Sequence, residues 1–288
     1  MEDDNMKKII KVILAFIFII NLFSITSCTN DYYNAEEIKT VFSKYRSNED
    51  LFVYSRGNLA FLFGEIDLYE LISDKEMVDS VGVYNEKIYF TTTEDRGNAF
   101  DVKTVLRVYS YNKNANEAKE IYKKEDYPAH PSSLFVDEIC YINYRIDIKQ
   151  RTTDAYNLST GEYNHIETKE QNNGNVLKDY EQDSGYEISA NTITQKETNK
   201  TLDISIQSIK DTICYQDLRQ YDYFLGKIDI YNGEIYIAYY VEVGSGWWYG
   251  KYVMFVFSLD FISETFEYET YVYTKATDID NYRIMAYK

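Results

Sequence analysis

Apolar positions along this chain fall into three regimes. Ile9 to Leu22 is an almost unbroken apolar run, interrupted only by Lys11 and Asn21. It follows Met6-Lys7-Lys8 and gives way to Ser24, Thr26 and Ser27 ahead of Cys28. The run falls short of the roughly 20 apolar residues that cross a bilayer as a helix. A cationic head, an apolar middle and a small-residue tail are the layout of a secretory signal peptide, here residues 1–27. Residues 28–34 are mostly polar and read as a tether. Asn34 then stands three positions before Glu37, the spacing of a capping box, and Ile38, Val41, Phe42 and Tyr45 recur at helical spacing. The pattern predicts one amphipathic helix over 35–47, whose apolar stripe must dock on the rest of the body.

From Leu51 onward the period changes. Runs of about four to eight residues rich in Tyr, Ile, Val, Phe and Thr alternate with clusters of Asn, Asp, Gly, Lys and Glu, the signature of strands and turns. Residues 48–288 therefore read as an all-β body. Within it, Asn85-Glu86-Lys87-Ile88-Tyr89-Phe90 resembles Asp137-Glu138-Ile139-Cys140-Tyr141-Ile142 and Asn232-Gly233-Glu234-Ile235-Tyr236-Ile237. Each is a polar turn leading into an apolar strand, with Tyr89, Tyr141 and Tyr236 equivalent. A second element follows each one: Val108 to Lys113, Asp154 to Glu162, and Phe255 to Asp260, taking Tyr111, Tyr156 and Phe257 as equivalent. In both series the second interval is about double the first, which leaves room for a degenerate unit between about 170 and 220.

Two hairpins in roughly 45–50 residues make the four-stranded blade of a β-propeller. The segment Tyr156-Asn157-Leu158-Ser159-Thr160-Gly161-Glu162 resembles the outer-strand turn of TolB-like and quinoprotein-like bacterial propellers, and the resemblance implies that fold over about residues 50–288. Their inner-strand Asp and Trp motifs are missing, so no subfamily is identified. Three clear units, one degenerate unit and two leftovers, Leu51–Ile72 and Asp280–Tyr287, predict about five blades with one built from both chain ends. Such closure removes unpaired sheet edges. An antiparallel β-sandwich with similar hairpins is the alternative architecture.

The leader ends Ile25-Thr26-Ser27-Cys28, which resembles the lipobox of bacterial lipoproteins. That resemblance implies cleavage before Cys28, lipidation of its sulfur, and display on the extracytoplasmic face of the cell membrane. Thr29, rather than aspartate, follows the cysteine. Two or more acyl chains give stable anchoring, because each buried methylene adds about 0.8 kcal/mol. The net charge of −17 belongs to the exported part, since the leader's acids and lysines cancel. This charge excludes nucleic acid as a partner and disfavours anionic surfaces. Of the three cysteines, Cys140 and Cys214 remain. Both lie in apolar β-like runs and read as reduced core thiols rather than a disulfide.

Candidate chemistry is sparse. Gly244-Ser245-Gly246-Trp247-Trp248-Tyr249-Gly250 holds both tryptophans in an expected hairpin loop between strands 234–243 and 251–259. Trp247, Trp248 and Tyr249 are the first-choice ligand-binding residues, as aromatic anchors on a glycine-framed loop. The opposing reading folds these rings back onto the core. His130 beside Ser132 and Ser133 lacks a third member and an oxyanion loop. His165 reads as an edge-strand residue near Glu162 and Glu167. No cofactor is called for. Calcium is the one ion that could sit at Asp278, Asp280 and Asn281, which lack the glycine turn and distal glutamate of an EF-hand, or at the acidic tip Glu94–Asn98.

These readings favour a non-enzymatic binding or scaffolding protein that recognises a protein or glycan at the cell surface. The alternative is a hydrolase or lyase acting on cell-surface polymer, with carboxylates and tyrosines converging from several blades. A solute-binding lipoprotein is disfavoured, since that class needs alternating strands and helices. Paired carboxylates and a histidine at the central channel would favour the enzyme, and a channel lined only by apolar and hydroxyl side chains the binder.

Overall fold

The computed structural model describes residues 33–55, 57–61, 64–98, 101–127, 131–146, 151–166, 184–189, 191–221, 224–245, 250–274 and 283–286. The chain divides into two compact units, 1–33 and 34–288, and the second is the subject here. The leader and Cys28 lie outside the described residues. Among those residues no helix is long and apolar enough to cross a membrane.

Helix α1 (Ala35–Phe42) begins at Asn34, whose side chain accepts from the Glu36 amide at 2.9 Å and caps an otherwise orphan donor. It stops at Phe42, five residues short of the expected end, where a turn closes it through the Ser43 amide to the Lys39 carbonyl. Its buried face is Ile38 and Phe42.

The strands follow in order. Three come first: β1 (Leu51–Ser55), β2 (Asn58–Phe61) and β3 (Gly64–Asp67). Blade one is β4 (Met77–Tyr84), β5 (Lys87–Asn98), β6 (Asp101–Asn112) and β7 (Glu117–Tyr127). Blade two is β8 (Ser132–Val136), β9 (Ile139–Arg145), β10 (Arg151–Asn157) and β11 (Tyr163–Ile166). Blade three is β12 (Tyr186–Ser189), β13 (Thr192–Gln195) and β14 (Thr201–Asp203), followed by the short helix α2 (Tyr215–Leu218). Blade four is β15 (Phe224–Tyr231), β16 (Glu234–Ser245), β17 (Gly250–Asp260) and β18 (Thr265–Thr274), and β19 (Arg283–Ala286) comes last.

Every sheet is an antiparallel meander, and the fifth has the order β19-β1-β2-β3. The two leftovers do build one blade, with Val53 opposite Ile284. The architecture is an all-β, five-bladed propeller. One expectation is corrected: the degenerate unit has three short strands among the described residues rather than four, and a helical segment follows them.

The strand period of two explains where the core sits. Along β1, Leu51 and Val53 join a cluster with Tyr236, Met254 and Val272 of blade four. Phe52 between them joins Ile88, Phe90 and Tyr111 of blade one. In β19, Ile284 and Ala286 take the first side and Met285 the second. A third cluster, with Leu106, Val108, Cys140 and Ile142, binds blade one to blade two. Blade one and the blade β19-β1-β2-β3 thus bury apolar surface on both faces. Gly82 on β4 permits one of these approaches, since a Cβ there would lie 2.3 Å from the Phe135 Cβ.

Both sequence repeats are local turn chemistry. The two-residue hairpins at Asn85-Glu86 and Asn232-Gly233 take positive φ at both positions, and Asp137 does so at the matching place. This is what tight hairpins with the native strand twist require. In the second series, the side-chain oxygens of Asn112, Asn157 and Asp260 each accept two amides of the turn that follows. Those turns make Leu259, not Phe257, the equivalent of Tyr111 and Tyr156. The mistaken alignment slipped by two residues, which keeps the same face of the strand and so leaves the hydrophobic pattern unchanged.

Helix α1 docks on blade four. The Phe42 ring centroid is 4.4 Å from that of Phe255 and also meets Tyr268 and Tyr271. Tyr45 and Lys44 both reach the Asp217 carboxylate beyond it. The helix is therefore fixed to the propeller body, as its apolar stripe demanded.

Candidate functional site: the central channel

The first strand of each meander is the innermost, so β4, β8, β12, β15 and β19 surround the ring axis. Between them lies a cavity of about 830 Å³ whose wall takes residues from all five. Each blade contributes apolar surface there: Val81, Leu134, Ile188, Ile230 and Met285. Ile188 is half exposed despite its apolar side chain. One mouth carries the hairpin-turn residues Asn85, Asp137 and Asn232. Tyr54 and Tyr231 add phenol groups. Burial pushes the Tyr231 hydroxyl up to about 12, so it stays protonated and able to donate.

The charged residues of the wall are Asp79, Asp137, Glu138, Lys227, Asp229 and Arg283, and two of the acids differ in setting. Asp229 is tied down: its carboxylate accepts from Arg283 Nε at 3.1 Å and from the Ile284 amide at 2.9 Å, joining β15 to β19. Asp79 differs. Its Oδ2 accepts the Ser133 amide at 2.7 Å and the Ser133 hydroxyl, both from blade two. Ser133 Oγ also meets Thr91 Oγ1, which accepts from the Ser80 amide at 3.2 Å. A hydroxyl has one proton. Ser133 gives its proton to Asp79, so Thr91 must donate to Ser133, and the chain of donors runs toward the Asp79 carboxylate. Asp79 is solvent-accessible, but the surface it shows is inside the channel. Burial accordingly raises its pKa, and the two Ser133 hydrogen bonds only partly oppose this.

A second polar cluster sits between blades one and two. Asp154 is fully buried and accepts from Lys124 Nζ at 2.7 Å, Tyr127 OH at 3.0 Å, Tyr144 OH at 3.3 Å and His165 Nδ1 at 2.8 Å. Lys124 also donates to Tyr163 OH at 2.6 Å. Burial pushes the Asp154 pKa up, but hydrogen bonds from Lys124, Tyr163 and His165 outweigh it and hold the carboxyl below its usual range. His165 is on the outermost strand as expected, but its partner is this buried aspartate rather than a neighbouring glutamate. The cluster fastens two blades together.

The sequence-selected residues fare unevenly. Trp247, Trp248 and Tyr249 lie outside the described residues. The strands on either side pair up to Ser245 opposite Gly250. His130, Asp278, Asp280 and Asn281 are also outside. Glu94 to Asn98 is corrected from an acidic tip to paired strand, with Asn98 opposite Asp101. The Glu94 carboxylate is taken by Arg96 at 2.9 Å and Arg107 at 2.7 Å. Among the described residues no three His, Cys, Asp or Glu are grouped to hold a metal. Cys140 and Cys214 are free and buried, but Cys214 stands at the start of α2 rather than in a strand. Sequence reasoning missed Asp79, Asp154 and Asp229. The one available signal was an acid placed within an apolar strand run, as in Lys227-Ile228-Asp229-Ile230.

No family model matches the chain, and no curated protein matches its sequence. Several solved chains are similar, two of them as follows. One comes from a structural and mechanistic analysis of two prolyl endopeptidases, at 6% identity and a TM-score of 0.24, covering 86% of this chain and 53% of that one. The chain thus spans about half the length of that relative. The other is the β-propeller domain of the Trilobed protease from Pyrococcus furiosus, described as having an open velcro topology. It is 10% identical with a TM-score of 0.21, over 74% of this chain and 91% of that one. The propeller assignment rests on the strand order and closure of this molecule itself.

Proposed function

We propose that this chain is a lipid-anchored extracytoplasmic binding protein, held to the membrane through Cys28, that recognises a protein or glycan ligand at its central channel without transforming it. The supporting observation is the state of two of the channel's carboxylates. Asp229 is committed to Arg283 and to the backbone of β19, and Asp79 is held by Ser133. Among the described residues, neither of these two carboxylates hydrogen-bonds to another acid or to a histidine. Walls that carry apolar groups from five blades, with hydroxyls, four acidic residues and two cations among them, suit recognition.

The test is to incubate the full chain in detergent with isolated cell-surface polymer and with envelope protein. Saturable retention with no released product supports binding. Progressive release of reducing ends or unsaturated fragments would instead establish the hydrolase or lyase reading.

A further inference from the structure

Asp79 is one of four acidic residues on the channel wall, with Asp137, Glu138 and Asp229, and Lys227 and Arg283 are the wall's cationic residues. Asp79 makes hydrogen bonds only through Oδ2, to the amide and hydroxyl of Ser133. Among the described residues it enters no ion pair and its Oδ1 carries no hydrogen bond, whereas Asp229 on the same wall is paired with Arg283. Asp79 is exposed to the channel lumen, and a carboxylate there without a counter-charge attracts a cation that enters beside it.

The kind of cation follows from the surroundings. A divalent metal ion takes about six to eight oxygen ligands, and no group of three potential ligands is present among the described residues. An ammonium group needs less: one carboxylate, neighbouring hydroxyl oxygens, and room. Ser80 and Tyr54 line the wall with Asp79, and the apolar Val81, Leu134 and Ile188 flank them. Burial pushes the Tyr54 phenol up, against a backbone hydrogen bond with Gly57, so its hydroxyl stays protonated. The net charge of −17 raises the local concentration of any cation.

We infer that the channel binds a primary alkylammonium group, with the ammonium at Asp79 and the methylene stem along Leu134 and Ile188. This rests on the reading of the channel as a binding site and specifies its ligand chemistry. A free alkylamine and a lysine side chain share that chemistry.

Titration calorimetry on the detergent-solubilised full chain tests it, using n-butylammonium, Nα-acetyl-lysine amide and the neutral n-butanol. The expected result is saturable binding of at least one ammonium probe, with n-butanol weaker by about thirtyfold or more. The two ammonium arms then separate a free amine from a side chain. Asp79→Asn should remove the preference for the ammonium. Should that variant fail to fold, the wild-type comparison of n-butylammonium with n-butanol still decides. Equal binding of n-butanol would overturn the ammonium inference and leave the channel a ligand site. Absence of ammonium binding would overturn it as well, with the binding reading judged by its own assay on polymer and protein.

Discussion

Val53 and Ile284 lie opposite each other in one antiparallel pair, so the two ends of the propeller domain share a sheet. Both side chains are almost fully buried, at 1% exposure, in the cluster that joins blade five to blade four. The last strand therefore closes the ring. Ile284→Ala should cost about 2–5 kcal/mol, the range for deleting a buried isoleucine side chain. Urea unfolding of the variant would show it as a lower midpoint with an unchanged slope. A cost below 0.5 kcal/mol would mean that β19 contributes little to closure.

That closure was legible in the chain, because the leftovers beside three clear repeats had nowhere else to pair. Asn34 as helix cap and the hairpin turns at Asn85 and Asn232 were legible for the same reason: each is local chemistry between neighbours in sequence. The equivalence of Phe257 with Tyr111 was misread, since a two-residue slip preserves strand periodicity. The site was not legible. Asp79 and Ser133 come from different blades, as do Lys124 and Asp154, and no spacing rule links residues whose proximity is set by ring geometry. Cys214 was misplaced because a short apolar run fits a strand and a buried helical turn equally well.

Two carboxylates make stability depend on acid. Hydrogen bonds from Arg96 hold Glu94 near 2, with burial opposing and Arg107 adding to the effect, and Asp154 is held below its usual range. Folded-state pKa values below the unfolded ones, about 4, give stability that is complete above that pH and is lost as pH falls through the folded values. The urea midpoint should fall steadily from about pH 4 to pH 2. Asp154→Asn should flatten part of that slope and, by leaving Lys124 unpaired, cost about 3 kcal/mol at neutral pH. A midpoint independent of pH below 4 would contradict this assignment.

The anchor rests on Cys28. Cys28→Ser should release the protein into the medium or leave a heavier, unprocessed precursor, read by fractionation and intact mass. Unchanged membrane retention with unchanged mass would remove the lipoprotein reading.

The aromatic loop offers a separate check. If Trp247 and Trp248 stack on a ligand, replacing both with alanine should weaken retention by about 1–3 kcal/mol per ring and leave the melting temperature nearly unchanged. A large fall in melting temperature would show that the rings complete the core.

The most direct test of recognition at the channel uses Ile188, which is half exposed on the channel wall. Ile188→Trp adds bulk inside the lumen without vacating core volume, so the fold should keep its melting temperature. Retention of the cell-surface ligand should then drop by about tenfold or more, a change of 1.4 kcal/mol in binding, with no product formed by either protein. Retention equal to wild type at an unchanged melting temperature would contradict recognition at the channel.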